Sequence, residues 1–103
     1  MSDYAADVKK YAPTASDAHI AAIVKYCGIA LRNKDSSLVS GSDQSELDRV
    51  RDGFAFKKLG LDKEAASAGI NKVVAQMKAD RAKSRVTFYY LLAQTTNTLS
   101  KLG

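Results

Sequence analysis

At 103 residues, with 46% apolar and 26% charged side chains, the chain has the length and composition of one soluble globular domain, residues 1–103. It has no run of the roughly 20 apolar residues that would cross a bilayer, and we expect no secretory signal because the basic and apolar regions of one are missing. The net charge of +5 is uneven: residues 1–50 carry a net charge of −1 and residues 51–103 a net charge of +6. Such a basic half fits an anionic partner or ordinary solubility charge.

Two helices are predicted in the first third of the chain. Tyr4, Val8 and Tyr11 recur at i, i+4 and i+7 and predict a short amphipathic helix. Ser16 is the expected N-cap of a second helix. That helix is apolar on two faces, which predicts a central position between neighbours. Gly28 inside it is unfavourable for a helix, so we expect another helix or an aromatic ring to approach closely there.

A third helix is predicted after a loop at residues 33–42 that is rich in Ser, Asp and Gly. Leu38 and Val39 in this loop are expected to fold back onto the core. Asp43 and Glu46 have the spacing of a capping box, and Gly60 is the expected left-handed stop. The inner face of the helix is predicted to contain Leu47, Val50 and Phe54.

The last two helices are predicted from apolar stripes that meet at a charged segment. Residues 62–69 predict only an ambiguous turn, because Gly69 interrupts the pattern. The stripe of the fourth helix consists of Ile70, Val73, Val74 and Met77. The charges that follow predict a joint between residues 79 and 83. The fifth helix, residues 84–99, is apolar on two sides and the most enclosed, so the sequence predicts an all-α bundle of four to six helices.

Residue types for common catalytic and metal chemistry are sparse. His19 and Cys27 stand eight residues apart on one predicted helix, which separates them by about 12 Å along its axis. This distance is too long for a Cys–His dyad. One His and one Cys are also too few ligands for the common zinc sites. Asp35 and Glu46 occupy the first and twelfth positions of a calcium loop, but Val39 stands where a ligand is required. Glycine-rich phosphate loops are missing. We expect no metal and no cofactor, and a single cysteine fits a reducing, cytoplasmic compartment.

The basic run at the joint is the candidate contact site. It contains Lys78, Arg81, Lys83 and Arg85, directly before an aromatic cluster with Tyr89 and Tyr90. These cations, with free backbone N–H groups at the start of the fifth helix, would suit an anion or a partner. The alternative is structural: the same cations cover helix ends and pair with acidic residues, and the tyrosines belong to the core.

Four stretches of the sequence resemble a known family. They are Asp3-Tyr4-x-x-Asp7-Val8, residues 29–33 with 35–39, residues 47–51 and, most specifically, residues 80–92. In these stretches the chain resembles a small bacterial family of uncharacterised helical proteins, a domain of unknown function. The resemblance implies a compact helical protein and brings no activity, cofactor or site residue with it.

Two hypotheses for function remain, from different classes. The first is a non-enzymatic helical domain that acts through protein–protein interaction or self-association, which the lack of a catalytic constellation favours. The alternative is weak nucleic-acid or anion binding through the basic C-terminal half, which would weaken steeply with salt. An enzyme is the least favoured class, and no contact with a membrane is expected.

Overall fold

The computed structural model describes residues 3–32, 38–40, 43–79 and 82–102. Its α-helices are α1 (Asp3–Tyr11), α2 (Asp17–Cys27), α3 (Gln44–Val50), α4 (Lys63–Gln76) and α5 (Arg85–Thr95). The shorter segments are 3₁₀ turns at Gly28–Arg32 and Leu99–Lys101, a π-helical segment at Arg51–Lys58, and strands β1 (Leu38–Ser40) and β2 (Ala82–Ser84). The predicted all-α bundle is confirmed, with one small sheet added.

Helix α5 is the centre of the bundle. Every residue from Arg85 to Ala93 is buried, and α1, α2, α4 and the π-helical segment all pack against it. On α1, Asp7 Oδ2 accepts a hydrogen bond from Thr87 Oγ1 of α5. The predicted enclosure of the fifth helix is therefore confirmed, although α5 begins at Arg85 and ends four residues before Leu99.

The sheet lies at the predicted joint between α4 and α5. Strands β1 and β2 pair antiparallel, with Leu38 opposite Ser84 and Val39 opposite Lys83. Val39 is fully buried, as its predicted return to the core requires. Three-residue strands are too short to leave a period-2 pattern in the sequence, which is why alternation did not predict them.

The helix starts follow local capping chemistry. Ser16 accepts a hydrogen bond from the backbone N–H of Ala18, and Asp43 accepts from Ser45 and Glu46. Asp62 caps α4 through the N–H of Ala65, so the segment expected to be an ambiguous turn is the first half of a continuous helix. These carboxylates and hydroxyls satisfy N–H groups that a helix start leaves unpaired.

Two glycines exchange their expected roles. Gly28 ends α2 with φ at 45°, and a Cβ built there would meet nothing within 4 Å. The expected close approach at Gly28 is therefore wrong. It occurs at Gly69 of α4, where a Cβ would lie 2.6 Å from Thr96 Cγ2 and 2.9 Å from Leu92 Cδ1. The predicted stop at Gly60 is confirmed, with φ at 70°.

The predicted third helix changes its winding after Val50. Its last eight residues form the π-helical segment, in which the N–H of Leu59 donates to the carbonyl of Phe54, five residues earlier, at 3.1 Å. The expected inner-face residues Leu47, Val50 and Phe54 are all buried. Segments of π-helix are rare and often accompany functional regions, and this one presents Phe56 and Lys57 to solvent.

Candidate functional site

The four cations of the basic run have different surroundings. Lys78 is exposed after the end of α4. Arg81 lies outside the described residues. Lys83 on β2 is 4% exposed and Arg85, the first residue of α5, is 8% exposed. Two of the predicted contact residues are thus mostly covered by the fold.

Arg85 joins three segments of the chain. Its Nη1 donates a hydrogen bond to the hydroxyl of Tyr89 at 2.9 Å, and its Nη2 donates to Glu46 Oε1 at 3.1 Å. Nη2 also lies 3.5 Å from the carbonyl oxygen of Leu38, a long contact. We call Arg85, Tyr89 and Glu46 the Arg85 cluster. It ties the start of α5 to α3 and to β1.

The Arg85 cluster shifts the proton affinity of its members. Burial lowers the pKa of Arg85, but Tyr89 and Glu46 outweigh that effect, so the pKa is raised and the guanidinium stays charged. Burial raises the pKa of the Tyr89 hydroxyl, and the charge of Arg85 only partly offsets the rise. Tyr89 is therefore a neutral hydrogen-bond acceptor at physiological pH.

Aromatic rings enclose the cluster from the side of α2. The rings of Phe54 and Tyr89 are stacked, with centroids 4.0 Å apart and planes 12° apart. Tyr26 lies tilted against Phe54, with ring centroids 5.4 Å apart, and is 44% exposed. Nearby, burial raises the pKa of the Cys27 thiol to about 11, against the opposing effect of Arg85. Since the reactive form is the thiolate, Cys27 is a poor nucleophile here.

The contacts of the Arg85 cluster indicate a role in stabilising the fold and not a catalytic role. Glu46 neutralises the charge of Arg85 and accepts a hydrogen bond from its Nη2, and the Tyr89 hydroxyl accepts one from its Nη1. These guanidinium N–H groups, which a substrate anion would need, are therefore already engaged. Within the residues that the structure describes, no group of three or more His, Cys, Asp or Glu is placed to hold a metal ion. The structural interpretation of Arg85 and the tyrosines fits these contacts.

An open apolar groove is lined by residues of α1 and α2. It has a volume of about 440 Å³ and is lined by Tyr4, Ala5, Asp17, Ile20, Ala21, Val24 and Lys25. The α2 residues recur at i, i+3, i+4, i+7 and i+8, which places them on one face of the helix. We call this feature the α2 groove. Sequence reasoning predicted apolar faces on this helix but expected neighbouring elements to cover them, so it did not predict an open groove.

A second pocket lies beside the π-helical segment. It has a volume of about 470 Å³ and is lined by Arg51, Asp52, Phe56, Lys57 and Lys63. Phe56 is 58% exposed, whereas Arg51 is held by Asp52 at 2.8 Å and by Asp48 at 3.2 Å. We call this feature the Phe56 pocket. It presents an aromatic ring with two lysines, Lys57 and Lys63, to solvent.

Comparison with known proteins places the chain in a family. The model of the family described as "Protein of unknown function (DUF2853)" matches residues 3–100. The chain belongs to this family. The match covers nearly the whole chain and includes the four stretches that carried the resemblance, and the family description assigns no function. The comparison with curated proteins found no match. No helix in the described part of the chain is long and apolar enough to span a membrane.

Proposed function

We propose that the chain is a non-enzymatic helical domain that acts by binding another polypeptide through the α2 groove. The supporting observation is the groove itself, an apolar depression lined by α1 and α2 whose α2 residues include the exposed Ala21 and Lys25. Apolar side chains that line an open depression gain free energy when the apolar side chains of a partner bury them. The cytoplasmic address and bacterial origin expected from the sequence belong to this proposal.

The chemistry of the groove suits a helix or strand of protein. Its α2 side is aliphatic, with Ile20, Ala21 and Val24, and its ends carry opposite charges, Asp17 and Lys25. The small side chain of Ala21 allows a second backbone to approach closely at that position, and the flanking charges would set its direction. Such a surface provides burial and orientation, which are the needs of a docking site and not of a catalyst.

Photo-crosslinking from the groove tests this proposal. A photoreactive phenylalanine analogue replaces Ala21 in the full chain, and the protein is irradiated in the cells that express it. The matched control carries the analogue at Lys72, which is exposed on α4. We expect a protein adduct from position 21 and none from position 72. Equal yields from both positions, or none from position 21, would contradict the proposal. Mass spectrometry of the adduct identifies the second chain.

Anion or nucleic-acid binding is the second candidate function, and the Phe56 pocket supports it. Single-stranded nucleic acids bind where bases stack on exposed aromatic rings beside cations. Phe56 supplies the ring, and Lys57 and Lys63 supply the charge. The predicted contacts at Lys78, Arg81, Lys83 and Arg85 stay part of this candidate, although the exposure of Lys78 and the burial of Lys83 and Arg85 give it less support than the pocket does.

A charge-matched comparison tests the second candidate. Binding of a labelled single-stranded oligonucleotide is measured by anisotropy for Lys57→Glu/Lys63→Glu and for Lys72→Glu/Lys101→Glu, which change the net charge equally and, in the second variant, alter exposed lysines outside the pocket and the basic run. Binding at the Phe56 pocket would be lost in the first variant and retained in the second. It would also weaken with salt with a log–log slope of roughly −1.4 for two phosphate contacts. No binding at low salt, or equal losses in both variants, would contradict a site at the pocket.

A further inference from the structure

We propose that the polypeptide in the α2 groove is a second copy of this chain, with the two α2 helices packed antiparallel about a two-fold axis at Ala21. This inference rests on the proposed function and names the partner for the same site. It comes from the order of three side chains along α2. Asp17, Ala21 and Lys25 all line the groove and are all exposed.

The charges of this face are complementary to themselves. Asp17 lies four residues before Ala21 and Lys25 four residues after it, so the three residues follow one i, i+4, i+8 ridge. When two such ridges run antiparallel about Ala21, each Asp17 faces the Lys25 of the other copy. A two-fold interface requires this self-complementarity, because the same patch must serve as both partners.

The end charges are open to this pairing. Asp17 contacts Lys9 at 2.8 Å, but its side chain is 81% exposed and retains accessible oxygen lone pairs. Within the described residues, Lys25 makes no ion pair with Asp17 or another carboxylate. About 12 Å of helix axis separates residues 17 and 25, which is too far for a pair within one helix. A second copy brings the two charges together.

Packing and helix dipoles act in the same direction. Ala21 at the crossing point allows the two backbones to approach, and Tyr4 and Val24 provide apolar surface beside it. The antiparallel arrangement sets the positive N-terminus of one α2 beside the negative C-terminus of the other. A partner helix without this order of charges could not form the two ion pairs with Asp17 and Lys25.

Charge reversal at one position at a time tests the pairing. In a dimer of Lys25→Asp, each Asp17 would face the new aspartate of the other copy. In a dimer of Asp17→Lys, each Lys25 would face the new lysine of the other copy. We expect each variant to raise the dissociation constant of the dimer on the order of tenfold or more, since two attractive pairs become repulsive. A mixture of the two variants restores the pairing in a heterodimer and should restore the affinity. Lys72→Asp on α4 is the matched control.

Molar mass by light scattering, over a series of protein concentrations, gives the readout. The wild-type chain should rise from the 11.1 kDa of one chain towards twice that mass. Thermal unfolding of each variant shows whether it is folded, because Asp17→Lys also removes the contact with Lys9. In a Cys27→Ala background, Ala21→Cys should form a disulfide-linked dimer on oxidation and Lys72→Cys should not, since a disulfide needs Cα atoms within about 7 Å.

The outcomes separate this inference from the proposed function. Monomeric wild-type protein at every concentration, or Lys25→Asp no weaker than Lys72→Asp, would overturn the two-fold dimer. If an adduct at Ala21 then contains another protein, the groove binds a different partner and the proposed function stands. If position 21 yields no adduct either, both proposals are wrong.

Discussion

The guanidinium of Arg85 connects residues that are far apart in the chain. Glu46 is 39 residues away from it and Leu38 is 47 residues away. The side chains of Arg85 and Glu46 are only 10% and 16% exposed, so their attraction is screened less than that of a surface pair. Removing one partner from such a pair leaves a desolvated charge. The pair therefore matters to stability more than a surface ion pair does.

We predict that Glu46→Gln lowers the free energy of unfolding by about 1–3 kcal/mol. The substitution nearly preserves the shape of Glu46, removes its charge and leaves Arg85 with the neutral Tyr89 hydroxyl. Urea denaturation measures the loss. The control, Glu64→Gln, removes a charge from an exposed position on α4 and should change stability by less than about 0.5 kcal/mol. Equal losses in the two variants would contradict the stabilising role of the Arg85 cluster.

Cys27 provides a prediction for pH dependence. Its pKa is raised from 9.0 to about 11 by burial, so at pH 8 the thiolate fraction falls about 100-fold below that of an ordinary thiol. In the folded protein the rate of reaction with a thiol reagent should keep rising to pH near 11. The urea-unfolded chain, as the control, should level off near pH 9. Equal rates in both states at pH 8 would show that the thiol is not protected.

At the scale of elements, Gly69 fixes the contact between α4 and α5. The 2.6 Å and 2.9 Å approaches of Thr96 and Leu92 leave no room for a methyl group. Thr96 is held by a hydrogen bond from its hydroxyl to the carbonyl of Leu92 at 2.8 Å, and Leu92 is fully buried. Neither side chain moves away easily, so a methyl group at position 69 would overpack the contact.

We predict opposite effects for two alanine substitutions. Gly69→Ala should destabilise the protein by about 1–3 kcal/mol, because overpacking exceeds the gain in helix propensity. Gly53→Ala should stabilise it by about 0.4–1 kcal/mol, since nothing lies within 4 Å of its Cβ position. Thermal or urea unfolding of both variants gives the comparison. A stabilised Gly69→Ala would mean that the two helices are not in close contact.

The elements show which parts of the fold local patterns can predict. Capping at Ser16 and Asp43 and the stop at Gly60 depend on neighbours within a few residues, and each prediction is confirmed. Glu46 was expected to complete a capping box but is bound by Arg85. Gly28 and Gly69 look alike in a helical pattern, and only the position of another helix distinguishes them. Long-range contacts of this kind leave no mark in local spacing.

At the scale of the whole molecule, the core was predictable and the sites were not. The apolar stripe around Leu92 shows which helix is enclosed, because burial follows helical period. The charge density of residues 78–85 does not show that Lys83 lies in a strand and is buried. The α2 groove leaves no distinct signal, because an apolar helix face looks the same in the sequence whether a neighbour covers it or leaves it open. Sites depend on which faces the fold leaves uncovered.

The central claim is that α5 lies in a closed core and that α2 has an open binding face. Hydrogen exchange measured at two protein concentrations tests this claim most directly. Amides of residues 86–93 should exchange only through global unfolding at both concentrations. Amides of residues 18–25 should gain protection as concentration rises, while the exposed face of α4 remains unchanged. Protection of α2 that does not depend on concentration, or a gain on α4 instead, would contradict an interface between two copies at the α2 groove.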